Sequence, residues 1–262
     1  NNIIRINIRK NRNYDHKNNN TNDNNDMILK ENKNQKKNNN LGLELYRKSL
    51  SPKDSFCRDI TNYKIISEAI GEGTFGKVFK AMYIGPQDYA EKNGIPKIVA
   101  LKKIKMDDEK EGFPITALRE IMLMKKVDHK NIMKLLEIVV SKPSTKTKKQ
   151  SVYLVMDYME HDISGLSLAK FSFTKPQIKY IMYQILQGIQ YLHQNEIIHR
   201  DIKCANILIN NSGDVRIGDF GLARIISPSQ KKKYTYRVVT LWFRPPELLF
   251  GDSMYGPAID VW

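Results

Sequence analysis

Asp201, Asn206 and Asp219 are residues whose types and spacing could do chemistry together. Asp201 sits five positions before Asn206, and two apolar runs, 206–210 and 215–219, flank Asn211-Ser212-Gly213-Asp214, which has the composition of a hairpin turn. Antiparallel pairing brings the start of the first run beside the end of the second, so Asn206 and Asp219 are expected at one open end. An amide carbonyl beside a carboxylate suits a hard cation such as Mg²⁺, which keeps several waters and takes further ligands from substrate phosphates. Asp201, at the same mouth, is placed to accept a proton from a hydroxyl. The plain alternative is a hairpin with polar residues at its wet end.

Other stretches must position these groups. Tyr63-Lys64-Ile65-Ile66 reads as a strand, and Gly71-Glu72-Gly73-Thr74-Phe75-Gly76 leads from it into Val78-Phe79-Lys80-Ala81, which reads as another. Glycines let backbone approach phosphates and permit positive φ, as a lid over a nucleotide requires; a glycine-rich hairpin without ligand is the alternative. A dinucleotide-binding turn needs a helix next, which the strand-like sequence disfavours. Val99-Ala100-Leu101-Lys102 has strand character, and Gly85-Pro86 with Gly94-Ile95-Pro96 predicts a long loop before it. Residues 115–124 form a helical run with Pro114 near its first turn. Residues 135–140 and 152–156 read as strands joined by a Lys- and Ser-rich loop. Ile178, Ile181, Met182, Ile185, Leu186, Ile189 and Leu192 recur at spacings of three and four, predicting a core helix that delivers the chain to His199.

Composition divides the 262 residues unevenly. Of the first 40, 16 are Asn with little apolar periodicity, which predicts a disordered low-complexity tail, followed by a linker at Ser51-Pro52. Of the net charge of +15, 6 falls in residues 1–60, which hold 13 Lys and Arg against 7 Asp and Glu. The rest is spread out and fits acidic or phosphorylated partners or simply solvated lysines; no dense Arg-rich run interleaved with aromatics argues for direct nucleic-acid binding. Two cysteines are too few for a disulfide framework or a four-cysteine zinc site. No apolar run is long enough to span a membrane, and Asn1-Asn2-Ile3-Ile4-Arg5 brings charge too early for a secretory signal.

His199-Arg200-Asp201-x-x-x-x-Asn206 followed by Asp219-Phe220-Gly221 resembles the catalytic-loop and metal-loop signature of eukaryotic protein kinases. Pro114 to Glu120 spells PITALRE, which narrows the resemblance to the transcriptional branch of the cyclin-dependent kinases. The resemblance implies a bilobal α+β fold, with a small lobe over about 61–156 and a partial large lobe over about 160–262. It implies ATP and Mg²⁺, with Asp201 orienting the nucleophile and Lys203 steadying the transferring group. Asn206 and Asp219 would hold the metal, and Lys102, ion-paired with Glu120, the phosphates. Gly71, Gly73, Gly76, Val78 and Ala100 would line the nucleotide site. Met156 would be the gatekeeper, Asp157 to Met159 the adenine-binding hinge, and Asp162 a ribose contact. Tyr234 to Arg244 resembles the family's activation segment, in which Thr235 matches the phosphorylated residue and Arg119, Arg200 and Arg224 the arginines around its phosphate.

The family implies a cyclin partner, Ser/Thr-Pro substrates, the RNA polymerase II tail and a nuclear location, with the cytoplasm as the alternative. Two departures stand out. Phe75 replaces the tyrosine of the inhibitory Thr-Tyr pair, and the chain stops at Asp260-Val261-Trp262, before the family's later helices and the buried partner of Glu247. An incomplete gene model is expected, given the missing Met. A catalytically inactive cyclin-binding fragment or pseudokinase is the rival reading, and a nucleic-acid-binding tail a further one.

Overall fold

The computed structural model describes residues 57–73, 76–105, 114–143, 151–226 and 233–262. Expectations for the Asn-rich tail, the linker, Thr74-Phe75 and most of the loop before residue 152 lie outside the described residues. The chain is organised around strands β2 (Tyr63–Gly73), β3 (Gly76–Tyr83), β4 (Ile98–Ile104), β5 (Leu135–Val140) and β6 (Val152–Asp157). β-Branched and aromatic residues recur in them, the types that fit a pleated, half-buried surface. Arg58–Asp59, read from sequence as linker, form β1 parallel to the end of β5, giving the order β1-β5-β6-β4-β3-β2.

The glycine-rich stretch is a hairpin, with Gly73 opposite Gly76 and bulges along β2. Gly76 (φ +151) is required by packing: a Cβ there would lie 1.8 Å from the Lys103 carbonyl oxygen on β4. Between β3 and β4 the expected long loop instead contains helix α1 (Gln87–Asn93), closed by Gly94 in the left-handed conformation. Its flanking Gly and Pro residues signalled both ends and masked a single apolar anchor, Ala90, which buries with Ile95 against the sheet. The opposite sheet face carries Ile104 and Leu154, packed on Ala117 and Ile121 of α2 (Ile115–Lys126).

Beyond β6 come β7 (His161–Asp162), α3 (Ile163–Leu168) and α4 (Lys175–Gln194). α4 buries Ile181, Ile185, Ile189 and Leu192, but Ile178, Met182 and Leu186 stay about half exposed, so part of the expected core stripe is not covered by the described residues. Met182 and Leu186 each lie one residue, about 100° of helix, beyond a buried position, so the periodic pattern merged two adjacent faces. At Gly188 a Cβ would meet Ile217 Cδ1 at 2.9 Å and the Asn131 carbonyl at 3.0 Å, which is how closely α4 approaches the hairpin over 207–217.

That hairpin is β9 (Ile207–Ile209) paired antiparallel with β10 (Val215–Ile217), with β7 along its other edge. Short β8 (Ile197–Ile198) pairs with β11 (Arg224–Ile225), and α5 (Pro246–Leu249) follows the segment 233–245. No helix among the described residues is long and apolar enough to cross a membrane.

Candidate active site

The hairpin brings the polar residues together as its register dictates. Ile217 opposes Ile207, and Gly218 N–H donates to the Asn206 carbonyl at 2.9 Å, setting Asp219 one residue beyond. Asp219 takes a left-handed conformation (φ +59), which Asp tolerates better than bulky residues and which redirects the chain between β10 and Phe220. Asn206 Nδ2 donates to the Asp201 carbonyl at 2.8 Å and to Asp201 Oδ2 at 3.1 Å. Those bonds fix the amide orientation and leave its Oδ1 for another ligand. Asp201 also receives Thr240 Oγ1 at 3.0 Å, and Lys203 Nζ at 2.8 Å, while Lys203 donates to Thr240 as well.

From the small lobe, Lys102 donates to Glu120 Oε1 at 2.6 Å and to Asp219 Oδ1 at 3.3 Å. Burial works against the ammonium, but Glu120 and Asp219 outweigh it and its pKa ends above the usual value. The same burial pushes the Glu120 carboxyl up against the pull of Lys102. With two carboxylates on one ammonium at short range, Lys102 and Glu120 form a charged pair.

The residues expected at the adenine are adjacent in the sheet: Val78 opposes Lys102, and Ala100 opposes Met156. Val78, Ala100, Met156 and Met159 share one apolar cluster. Gly71, at the lip, has open space where a Cβ would be. Asp157 is ion-paired with Arg216. Asp162 has a local task, since its Oδ1 accepts Gly165 N–H at 2.7 Å and caps α3. Leu208 was missed from sequence. Ile207 and Ile209 are buried on one face of β9, so Leu208 lies on the other, opposite Asp162, and alternation along 206–209 carried that signal.

Arg119, Arg200 and Arg224 lie close enough to repel one another. Burial and then Arg200 lower the Arg119 pKa; burial, then Arg119 and Arg200, bring Arg224 down to about 9. Among the described residues no carboxylate is paired with any of the three guanidinium groups. Exposed Thr235 is tied in through its carbonyl, which accepts the Tyr255 hydroxyl at 2.7 Å, while Tyr255 accepts Arg200 Nη1 at 2.7 Å. Sequence reading missed Tyr255, Thr240 and Asp260, whose partners are distant along the chain.

Asn206 and Asp219 fit a small two-ligand site for a hard cation, the amide with its Nδ2 committed to Asp201 and the Asp219 carboxylate partly exposed. No cluster of three or more His, Cys, Asp or Glu residues among the described residues could hold a metal on its own. Among known sequences, the family description "Protein kinase domain" matches residues 64–262. Cyclin-dependent kinase 9 of Bos taurus is 49% identical over 79% of this chain, and cyclin-dependent kinase C-1 of Arabidopsis thaliana is 50% identical over 74%. The matches cover 54% and 39% of those proteins, so the chain spans about half the length of relatives of the first kind. Matched from the glycine-rich hairpin through the Lys102, Asp201 and Asp219 constellation, the chain belongs to the protein kinase domain family and is similar there to cyclin-dependent kinases.

Proposed function

We propose that the natural protein is a Ser/Thr protein kinase that transfers the γ-phosphoryl group of ATP to Ser/Thr-Pro sites when bound to a cyclin. The observation that carries this reading is Lys102 bridging Glu120 and Asp219 across from Asp201, Lys203 and Asn206. Asp201 faces the incoming hydroxyl as its orienting base, and Lys203, held on the same carboxylate, neutralises charge on the transferred group. Asn206 Oδ1 and Asp219 would hold Mg²⁺, which when bound supplies electrostatic neutralisation of the phosphates. Lys102 positions the α/β-phosphates, and Val78, Ala100, Met156, Met159 and Leu208 enclose the base beside Asp157. Asp162 retains Oδ2 for the ribose.

The names of the relatives support a cyclin partner. PITALRE on α2 supports the transcriptional branch, hence the RNA polymerase II tail as substrate and the nucleus as location. The rival cyclin-binding module without catalysis has no use for an intact Lys102, Asp201, Asn206 and Asp219 set.

The test is phosphotransfer from labelled ATP to a Ser-Pro peptide by the cyclin-bound natural chain and by Asp219→Asn. Turnover is expected to vanish in the variant while cyclin binding stays nearly intact. Comparable transfer by both proteins refutes the assignment.

A further inference from the structure

We infer that Arg216 is a positioning residue for the nucleotide, holding the hinge in register with the metal-binding end of the site; this rests on the nucleotide reading above. The hinge begins at Asp157, the last residue of β6, and its carboxylate is ion-paired with Arg216 Nη1 on β10. Val215 and Ile217, on either side of Arg216, are fully buried in the core. Arg216 therefore leaves β10 on the opposite face, beside its cross-strand neighbour Leu208. Only 27% of the Arg216 side chain and 20% of the Asp157 side chain is exposed. Burial lowers the Arg216 pKa, and its Nε lacks a hydrogen-bond partner among the described residues. The guanidinium is thus poorly solvated and relies on Asp157.

The next hinge residue is held from the other side, with Lys80 Nζ of β3 lying 4.3 Å from the centre of the Tyr158 ring. Consecutive hinge residues are anchored to opposite bodies, Asp157 to the hairpin and Tyr158 to the sheet. β10 continues through Gly218 into Asp219, so one ion pair ties the adenine end of the site to the metal end. Its loss frees the hinge backbone relative to Asp219 and weakens nucleotide binding, without removing a group that touches the reacting atoms.

The probe is N-methylanthraniloyl-ATP with Mg²⁺, titrated by fluorescence into the cyclin-bound natural full-length chain, with KM and kcat measured in parallel. Arg216→Met is expected to weaken binding about tenfold, as loss of a partly buried charge-assisted bond should, with KM rising and kcat within about twofold. Arg216→Lys, which keeps the charge, should stay within about threefold of the parent. Reversing the pair, Asp157→Arg with Arg216→Asp, should recover much of the loss. A purely structural role would lower the thermal midpoint and leave the dissociation constant of the folded fraction unchanged. A parent that binds the probe and an Arg216→Met variant that binds it equally well overturn the inference. If Arg216→Met does not fold, Asp157→Asn decides, and an unchanged dissociation constant there overturns it. A parent that binds no probe overturns the nucleotide reading and this inference together.

Discussion

Asp260 Oδ1 accepts the backbone N–H of Arg200 at 2.8 Å, across sixty residues of chain. Its Oδ2 accepts His199 N–H at 2.8 Å and lies 2.9 Å from His193 Nε2, so one buried carboxylate holds two consecutive amides of the segment leading to Asp201. Arg200 has φ +68, a left-handed conformation costing a side-chain-bearing residue about 1–2 kcal/mol. Asp260→Ala leaves those amides unpaired in the core and should destabilise the fold by about 2–4 kcal/mol. Chemical denaturation measures it, and a loss under 0.5 kcal/mol, the ordinary scatter of surface substitutions, would contradict the anchoring role.

Much of this site was legible because its chemistry is local. Asn206 and Asp219 meet because a turn of ordinary composition fixes the register of two short strands, and the helical run before Glu120 is continuous in sequence. Asp260, Tyr255 and Thr240 were not legible, since nothing in their own neighbourhoods signals contact with residues 199–203. α1 was hidden for a different reason: seven residues with one buried apolar side chain leave no periodicity to detect. On α4 the period was right and the face too wide, because a stripe does not reveal which of its edges the fold covers.

Lys102 and Glu120 give a prediction about pH. Lys102→Met leaves Glu120, about 1% exposed, without its cation, and burial then drives the carboxyl pKa further up. A carboxyl whose folded pKa is raised binds protons more readily in the native state, so its penalty is full above that pKa and is relieved as pH falls through it. The variant should therefore be destabilised relative to the parent at pH 8 and approach it near pH 5. Parallel melting curves across that range for both proteins would falsify the buried-pair account.

The three arginines give a prediction about phosphorylation. Arg224, with its pKa brought down to about 9 by burial and its neighbours, is repelled at neutral pH, and that cost fades only as pH rises through 9. Phosphate on Thr235 should offset the repulsion, raising the thermal midpoint by about 2–4 °C, the shift expected from ~1 kcal/mol in a domain of this size. Arg224→Gln should stabilise the unphosphorylated form and lose most of the gain from phosphate. Activity should likewise depend on that phosphate, and cyclin-bound Thr235→Ala at full activity would refute the dependence.

Val239 and Arg244 set the last expectation, which concerns the residue after the target hydroxyl. Val239, a buried β-branched residue, has φ +63 and donates its N–H to the Arg200 carbonyl. Arg244 Nη2 holds the Val239 carbonyl at 3.1 Å, while its Nε holds that of Val238 at 3.0 Å. That carbonyl is therefore taken by a guanidinium, and on the proposed reading it is the acceptor an incoming substrate amide would otherwise meet. A substrate residue with an N–H would leave that donor unpaired at a cost of about 1–3 kcal/mol, whereas proline has none to strand. The cyclin-bound enzyme should prefer Ser-Pro over Ser-Ala peptides by about tenfold or more in kcat/KM. Val239→Gly, which reaches other backbone conformations without strain, should shrink the ratio by releasing the carbonyl. Equal kcat/KM for the two peptides with the parent enzyme would sink the proline-directed reading, and with it the link from the activation-segment geometry to substrate choice.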